Sequence, residues 1–115
     1  MLSKKVVDVR PWGSEDWFVT NEKCTVKLLY VKKGKRNSYQ YHNNRESEFW
    51  HIVSGQVLVT LDDKELTLGQ GEDIMVPKRA KHRFYGITDA TILEIISGEF
   101  DESDIVRLQD DFSRK

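Results

Sequence analysis

Residues 34–61 read GKRNSYQYHNNRESEFWHIVSGQVLVTL, and this stretch decides the fold. Within it, residues 49–53 (FWHIV) and 56–61 (QVLVTL) are short runs rich in β-branched and aromatic side chains, with Ser54-Gly55 between them. Runs of that kind bounded by turn residues predict strands. Upstream, His42 ends one expected strand and Glu48 begins the next, so residues 43–47 loop back and let both side chains point the same way.

The same pattern continues outward. Residues 25–32 (TVKLLYVK), 73–76 (DIMV), 82–85 (HRFY) and 91–96 (TILEII) predict further strands, with turns at Lys33-Gly34-Lys35, Asp62-Asp63-Lys64, Gly69-Gln70-Gly71 and residues 86–89. Closely spaced strands with no helix between them predict an all-β antiparallel sandwich or barrel. No repeat, low-complexity tract or linker interrupts the chain, and 115 residues can bury one core without disulfides, so residues 1–115 are expected to form one domain. Short arms are expected at both ends. Arg10-Pro11-Trp12-Gly13 fixes the path of the N-terminal one, and residues 101–109 (DESDIVRLQ) predict a short helix or a turn followed by an arm.

Composition narrows the function. With 38% hydrophobic and 32% charged residues the chain is of the folded, soluble kind, and a formal net charge of −1 gives no electrostatic case for nucleic acid or an anionic membrane. Cys24 has no partner for an internal disulfide and reads as a small hydrophobe in a strand. The opening MLSKKVVDVR lacks the apolar core of a signal peptide, and no apolar stretch approaches the ~20 residues of a membrane span. A cytoplasmic location is expected.

The chemistry concentrates in three residues. His82 opens a later strand just after Pro77, whose ring fixes the entry to the intervening turn. If His42, Glu48 and His82 meet, two neutral imidazoles and a carboxylate form a facial set suited to divalent zinc, manganese, iron, cobalt, nickel or copper, with positions open for water or substrate. A structural zinc would want a closed shell, usually with thiolates, which Cys24 alone does not provide. His51 belongs to no such pattern and reads as an ordinary strand residue.

The order of these residues resembles the cupin superfamily. Glu48 and Gly55 stand at the interval of its first motif, and Gly71, Pro77 and His82 at those of its second; Gly34, Asn44 and Arg79 depart from it. The resemblance implies a jelly-roll β-barrel holding a divalent metal. It places Asn44 at a ligand position, where its neutral carbonyl oxygen would replace an imidazole. A closer likeness extends over RPWGSED (residues 10–16), QYHNNRESEFWHIVSG (40–55), VPKRAKHRFYG (76–86) and EIISGEFDESDIVRLQDDFSR (94–114). These resemble the C-terminal cupin of type II phosphomannose isomerases, in whose bifunctional members that cupin follows a guanylyltransferase domain. The implied reaction interconverts mannose 6-phosphate and fructose 6-phosphate.

Such an isomerisation needs a base near C1 and C2 and positive charge near two oxygens. Glu46, Glu94 and an activated water are the candidate bases, with Arg45 beside them. Arg45, Lys81, Arg83 and Arg107 are candidate grips for the phosphate of a small sugar phosphate. Two other functions stay open: a non-catalytic sugar or sugar-nucleotide binding cupin, and another metal cupin such as an iron oxygenase. A homodimer is expected, since barrels of this size with arms at both ends can pair apolar outer faces by two-fold symmetry.

Overall fold

The computed structural model describes residues 6–20 and 23–113; the first five residues of the opening segment and Arg114 of the tail lie outside the described residues. Among the described residues eleven strands run in chain order as β1 (Val6–Arg10), β2 (Gly13–Val19), β3 (Cys24–Val31), β4 (Tyr39–Tyr41), β5 (Arg45–Ser54), β6 (Gln56–Leu61), β7 (Lys64–Gly69), β8 (Asp73–Pro77), β9 (His82–Gly86), β10 (Ala90–Gly98) and β11 (Val106–Gln109). They form a six-stranded antiparallel sheet, β1-β2-β3-β10-β5-β8, facing a five-stranded one, β11-β4-β9-β6-β7. Hydrogen bonding does not join the sheets into a closed barrel. The jelly roll is a two-sheet sandwich.

Alternation along each strand sends one set of side chains into the space between the sheets. Ile52, Val57, Val59 and Ile92 are wholly buried there, each contributing on the order of 1.5–3 kcal/mol of burial. Phe84 anchors the aromatic part of this core, meeting Trp12 edge-on at 5.1 Å and Trp50 at 5.6 Å.

The ends differ from the arms that were expected. Residues before and after Arg10-Pro11-Trp12-Gly13 form a hairpin, β1 against β2, and β2 pairs β3, so the N-terminal segment extends the six-stranded sheet of its own chain. The tail makes a turn at residues 102–103 and then β11, which pairs β4; no helix forms. Strand β7 was also unread, because Lys64 and Glu65 at its start are both exposed and hide its alternation. No helix among the described residues is long and apolar enough to cross a membrane.

On β3 the inward side chains are Thr25, Lys27, Leu29 and Val31, while Val26, Leu28 and Tyr30 point outward and are half-buried. Leu93 and Ile95 of β10 and Phe49 of β5 continue that outer face. Thus the six-stranded sheet carries apolar side chains on both sides.

Candidate metal centre and cavity

Three segments bring the candidate ligands together. His42 follows β4, Glu48 lies within β5 and His82 begins β9. All three are buried, and one ligand atom from each lies within 4.8 Å of the others. Glu48 Oε2 stands 3.8 Å from His42 Nε2 and 3.1 Å from His82 Nε2.

Each imidazole is oriented by a backbone carbonyl. His42 Nδ1–H donates to Asp104 O at 2.6 Å, and His82 Nδ1–H donates to Ala80 O at 2.8 Å. That tautomer leaves both Nε2 lone pairs facing the Glu48 carboxyl. Burial, helped by the Arg45 guanidinium and the His82 ring, pushes the pKa of His42 down to about 3. Burial likewise takes His82 down to about 4, against the upward pull of the Ala80 carbonyl. Both rings are therefore neutral near pH 7. His82 Nε2 is buried without a hydrogen-bond partner, although a donor or acceptor at that depth should be satisfied. A divalent cation supplies what two imidazole lone pairs and a carboxylate lack, and the donor set fits one.

The cavity beside this trio has a volume of about 170 Å³. His42, His82, Gln40, Arg45, Glu94 and Arg107 line it together with Arg10, Glu15, Lys27 and Trp50. Arg45 enters through a β-bulge. Ser97 pairs with Ser47 and Gly98 with Arg45, so Glu46 drops out of register and Arg45 shares the inner side with Glu48. Its Nη1 then donates to Glu48 Oε1 at 2.9 Å. Glu94 is a cross-strand neighbour of both Lys27 and Trp50, and its Oε2 accepts the Trp50 indole N–H at 2.9 Å. Burial and the neighbouring Glu48 carboxylate push the Glu94 carboxyl up to about 7.

Other candidate residues are held elsewhere. Asn44 is exposed in the turn before β5, its backbone N–H donating to Asp104 Oδ2, and it does not line the cavity. Glu46 is exposed on the outside with Lys78 Nζ at 3.4 Å. Lys81 is bound to Asp63 at 2.7 Å. Arg83 is buried but follows His82 by one residue and so faces the other way, donating to Asn37 O and Gln109 Oε1. The structure thus places Asn44, Glu46, Lys81 and Arg83, expected from the sequence as ligand, base and phosphate grips, outside the lining of this cavity.

Two residues the sequence reading passed over belong to the site. Gln40 Nε2 lies 3.3 Å from His42 Nε2; being two residues before His42 on an extended segment, it shares that face, while its carboxamide oxygen accepts the Ser38 hydroxyl. Lys27 is buried between the Trp17 and Phe100 rings, 4.0 and 4.1 Å from their centroids, with Glu15 Oε1 at 3.2 Å.

Residues 2–110 match the family described as mannose-6-phosphate isomerase C-terminal. The chain belongs to that family. Among its relatives, the alginate biosynthesis protein AlgA of Pseudomonas aeruginosa is 39% identical over 91% of this chain and 22% of its own length. The mannose-1-phosphate guanylyltransferase ManC of Salmonella typhimurium is 35% identical over the same shares. This member of the mannose-6-phosphate isomerase C-terminal family thus spans about a fifth of the relatives' length. Its fold is the cupin fold. An RmlC-like cupin from Shewanella frigidimarina superposes with a TM-score of 0.78 at 16% identity, over 90% of this chain and 92% of that one. Pac13, a nucleoside dehydratase, does so with a TM-score of 0.81 at 16% identity, over 96% and 89%.

Proposed function

We propose that this protein is a metal-dependent aldose–ketose isomerase acting on a hexose 6-phosphate, with mannose 6-phosphate and fructose 6-phosphate as the pair. The observation carrying this reading is that His42, His82 and Glu94 line one cavity, so a ligand set and a free carboxyl face the same substrate volume. Family membership supports the choice of sugar. His42, Glu48 and His82 would hold the ion. When bound, a divalent ion would polarise the substrate carbonyl and offset the negative charge of an enediolate.

The protein's own groups do the rest. Glu94, as carboxylate, accepts the proton from C2 of the aldose; the C–H electron pair forms the C1–C2 double bond as the C1=O π pair moves onto O1, the O2 hydroxyl proton passes to O1, and the proton held by Glu94 is delivered to C1 as the C2 carbonyl forms. Trp50 Nε1–H fixes the Glu94 carboxyl in place. Lys27 and Arg45 supply positive charge beside the oxygens on which charge develops. The cavity of about 170 Å³ is below the ~300 Å³ of an ordinary ligand pocket, which leaves the phosphate at the rim with Arg10 and Arg107.

Conversion of mannose 6-phosphate by protein supplied separately with zinc, manganese, cobalt or iron(II) tests the reading. Turnover is expected with at least one ion, and Glu94→Gln should lower kcat by about 10²–10⁴-fold, the usual worth of a general base. A protein that holds metal yet turns over no hexose phosphate overturns it.

A further inference from the structure

The segment joining β10 to β11 passes from one sheet to the other, and its Phe100, Glu102 and Ile105 line the cavity between them together with Arg10 and Arg107. Residues 99–105 form neither strand nor helix and are tied at three points. Phe100 is 4% exposed, its ring edge-on to Trp17 at 5.3 Å and 5.0 Å from the Arg45 guanidinium. Asp104 O accepts His42 Nδ1–H at 2.6 Å. Between these ties Glu102 Oε1 accepts Arg10 Nη2–H at 2.9 Å, from a turn that Asp101 braces by accepting the Ser103 N–H and hydroxyl. Arg10 is under-used by this contact. Asp8 Oδ2 stands 2.6 Å from the same Nη2, but Nε is buried without a hydrogen-bond partner, and Glu15 Oε2 is 3.6 Å from it.

We propose that Glu102 is a built-in stand-in for the substrate's phosphate: it occupies Arg10, holds residues 99–103 against the cavity, and yields when a phosphoryl group takes Arg10 from it. The proposal rests on the placement of the phosphate at the rim and adds how that site is regulated. Glu102 is the tie suited to exchange. It makes one contact with the guanidinium, whereas a phosphoryl group brings three acceptor oxygens and roughly twice the charge. Its side chain is 56% exposed, and an ion pair in that setting biases an equilibrium by no more than about fivefold. A contact of that strength holds a strap in place and is still broken by a ligand. The movement is bounded at both ends, by Gly98 at φ +84° and by Asp104 on His42, so the ligand trio stays aligned. Release of Glu102 frees Phe100, two residues away, to withdraw and enlarge a cavity that is otherwise about 170 Å³. An uncharged sugar has no group with which to take Arg10, so the device selects phosphorylated sugars.

Chymotrypsin reads the movement, because it cleaves after Phe100 only when that buried ring leaves its seat. Cleavage of the metal-loaded full chain at this bond, followed by mass spectrometry, should quicken about two- to fivefold in saturating inorganic phosphate relative to chloride at the same ionic strength. Mannose should leave the rate unchanged. Glu102→Gln should be cleaved at the quickened rate without phosphate and gain nothing further from it. By calorimetry it should bind inorganic phosphate about two- to fivefold more tightly than the parent, having lost the competing carboxylate. Equal cleavage of the parent and Glu102→Gln overturns the proposal, and so does a rate that mannose raises as much as phosphate does. Calorimetry on Arg10→Gln separates this outcome from failure of the site itself. Phosphate that binds through Arg10 without quickening cleavage overturns the strap alone; phosphate that binds Arg10→Gln as tightly as the parent removes the phosphate from the rim, and the strap's role with it.

Discussion

His82 is 1% exposed, and its two ring nitrogens have opposite tasks. Nδ1–H is spent on Ala80 O, so Nε2 is left with a lone pair aimed at a carboxylate. His42 repeats the arrangement through Asp104 O. If one ion joins them, His42→Ala and His82→Ala should each strip the metal from protein purified without chelator while far-UV circular dichroism stays native. Elemental analysis that finds full occupancy in either variant would refute a shared site. The same residues set a pH dependence in chelated protein. Folding lowers both histidine pKa values from 6.5, to about 3 and about 4, so their contribution is complete above 6.5 and is lost as pH falls toward those values. Glu94 acts oppositely: raised from 4.5 to about 7, it contributes fully below 4.5 and loses that contribution as pH rises through 7. Between pH 4.5 and 6.5 two imidazoles outweigh one carboxyl, and stability should fall on acidification by on the order of 1 kcal/mol per pH unit. Thermal melts of chelated protein check this, and His82→Ala should flatten the profile. That His42, Glu48 and His82 meet was legible from sequence because their spacing is tied to local turns, Pro77 among them. Asn44 misled because a motif position says nothing of which way a turn residue points. Strand parity would have separated Arg83 from His82 and joined Gln40 to His42.

Among the elements, the bulge joining β5 to β10 does the most for the site. An unbroken strand would put Arg45 and Glu48, three apart, on opposite faces; the slip at Glu46 puts both inside. Gly98 makes room for it. Its φ is +84°, and a Cβ there would stand 2.7 Å from Glu46 Cγ. Gly98→Ala should therefore destabilise the protein by about 1–3 kcal/mol and loosen the Arg45–Glu48 contact. Chemical denaturation measures the first, and weaker metal retention against a competing chelator measures the second. A variant as stable as the parent would show that the bulge tolerates an ordinary residue. Sequence revealed the central strands, whose apolar runs are long, but not their facing. In TVKLLYVK the apolar period selects Val26, Leu28 and Tyr30 as core, whereas the structure buries Lys27 and leaves that trio outside. A charged cavity on one side and an apolar surface on the other invert the usual pattern. Strands β1 and β2 escaped notice for the same reason, since Arg10 and Glu15 line the cavity.

For the whole molecule, metal and fold are linked. An ion that binds only the native state adds RT ln(1 + [L]/Kd), about 2.7 kcal/mol at a hundredfold excess over Kd, so the melting temperature should rise with added zinc or manganese and return on chelation. His42→Ala should abolish that rise. One more consequence comes from the position of Asp104. Ala80 lies two residues from the histidine it orients, whereas Asp104 lies 62 residues from His42 and also holds the Asn43 and Asn44 amides at 2.9 Å. His82 Nδ1 is aligned by its own neighbourhood, and His42 Nδ1 by a carbonyl far along the chain. During synthesis the coordination sphere would thus stay half-built until Asp104 has emerged and docked, so ion capture waits on that long-range contact.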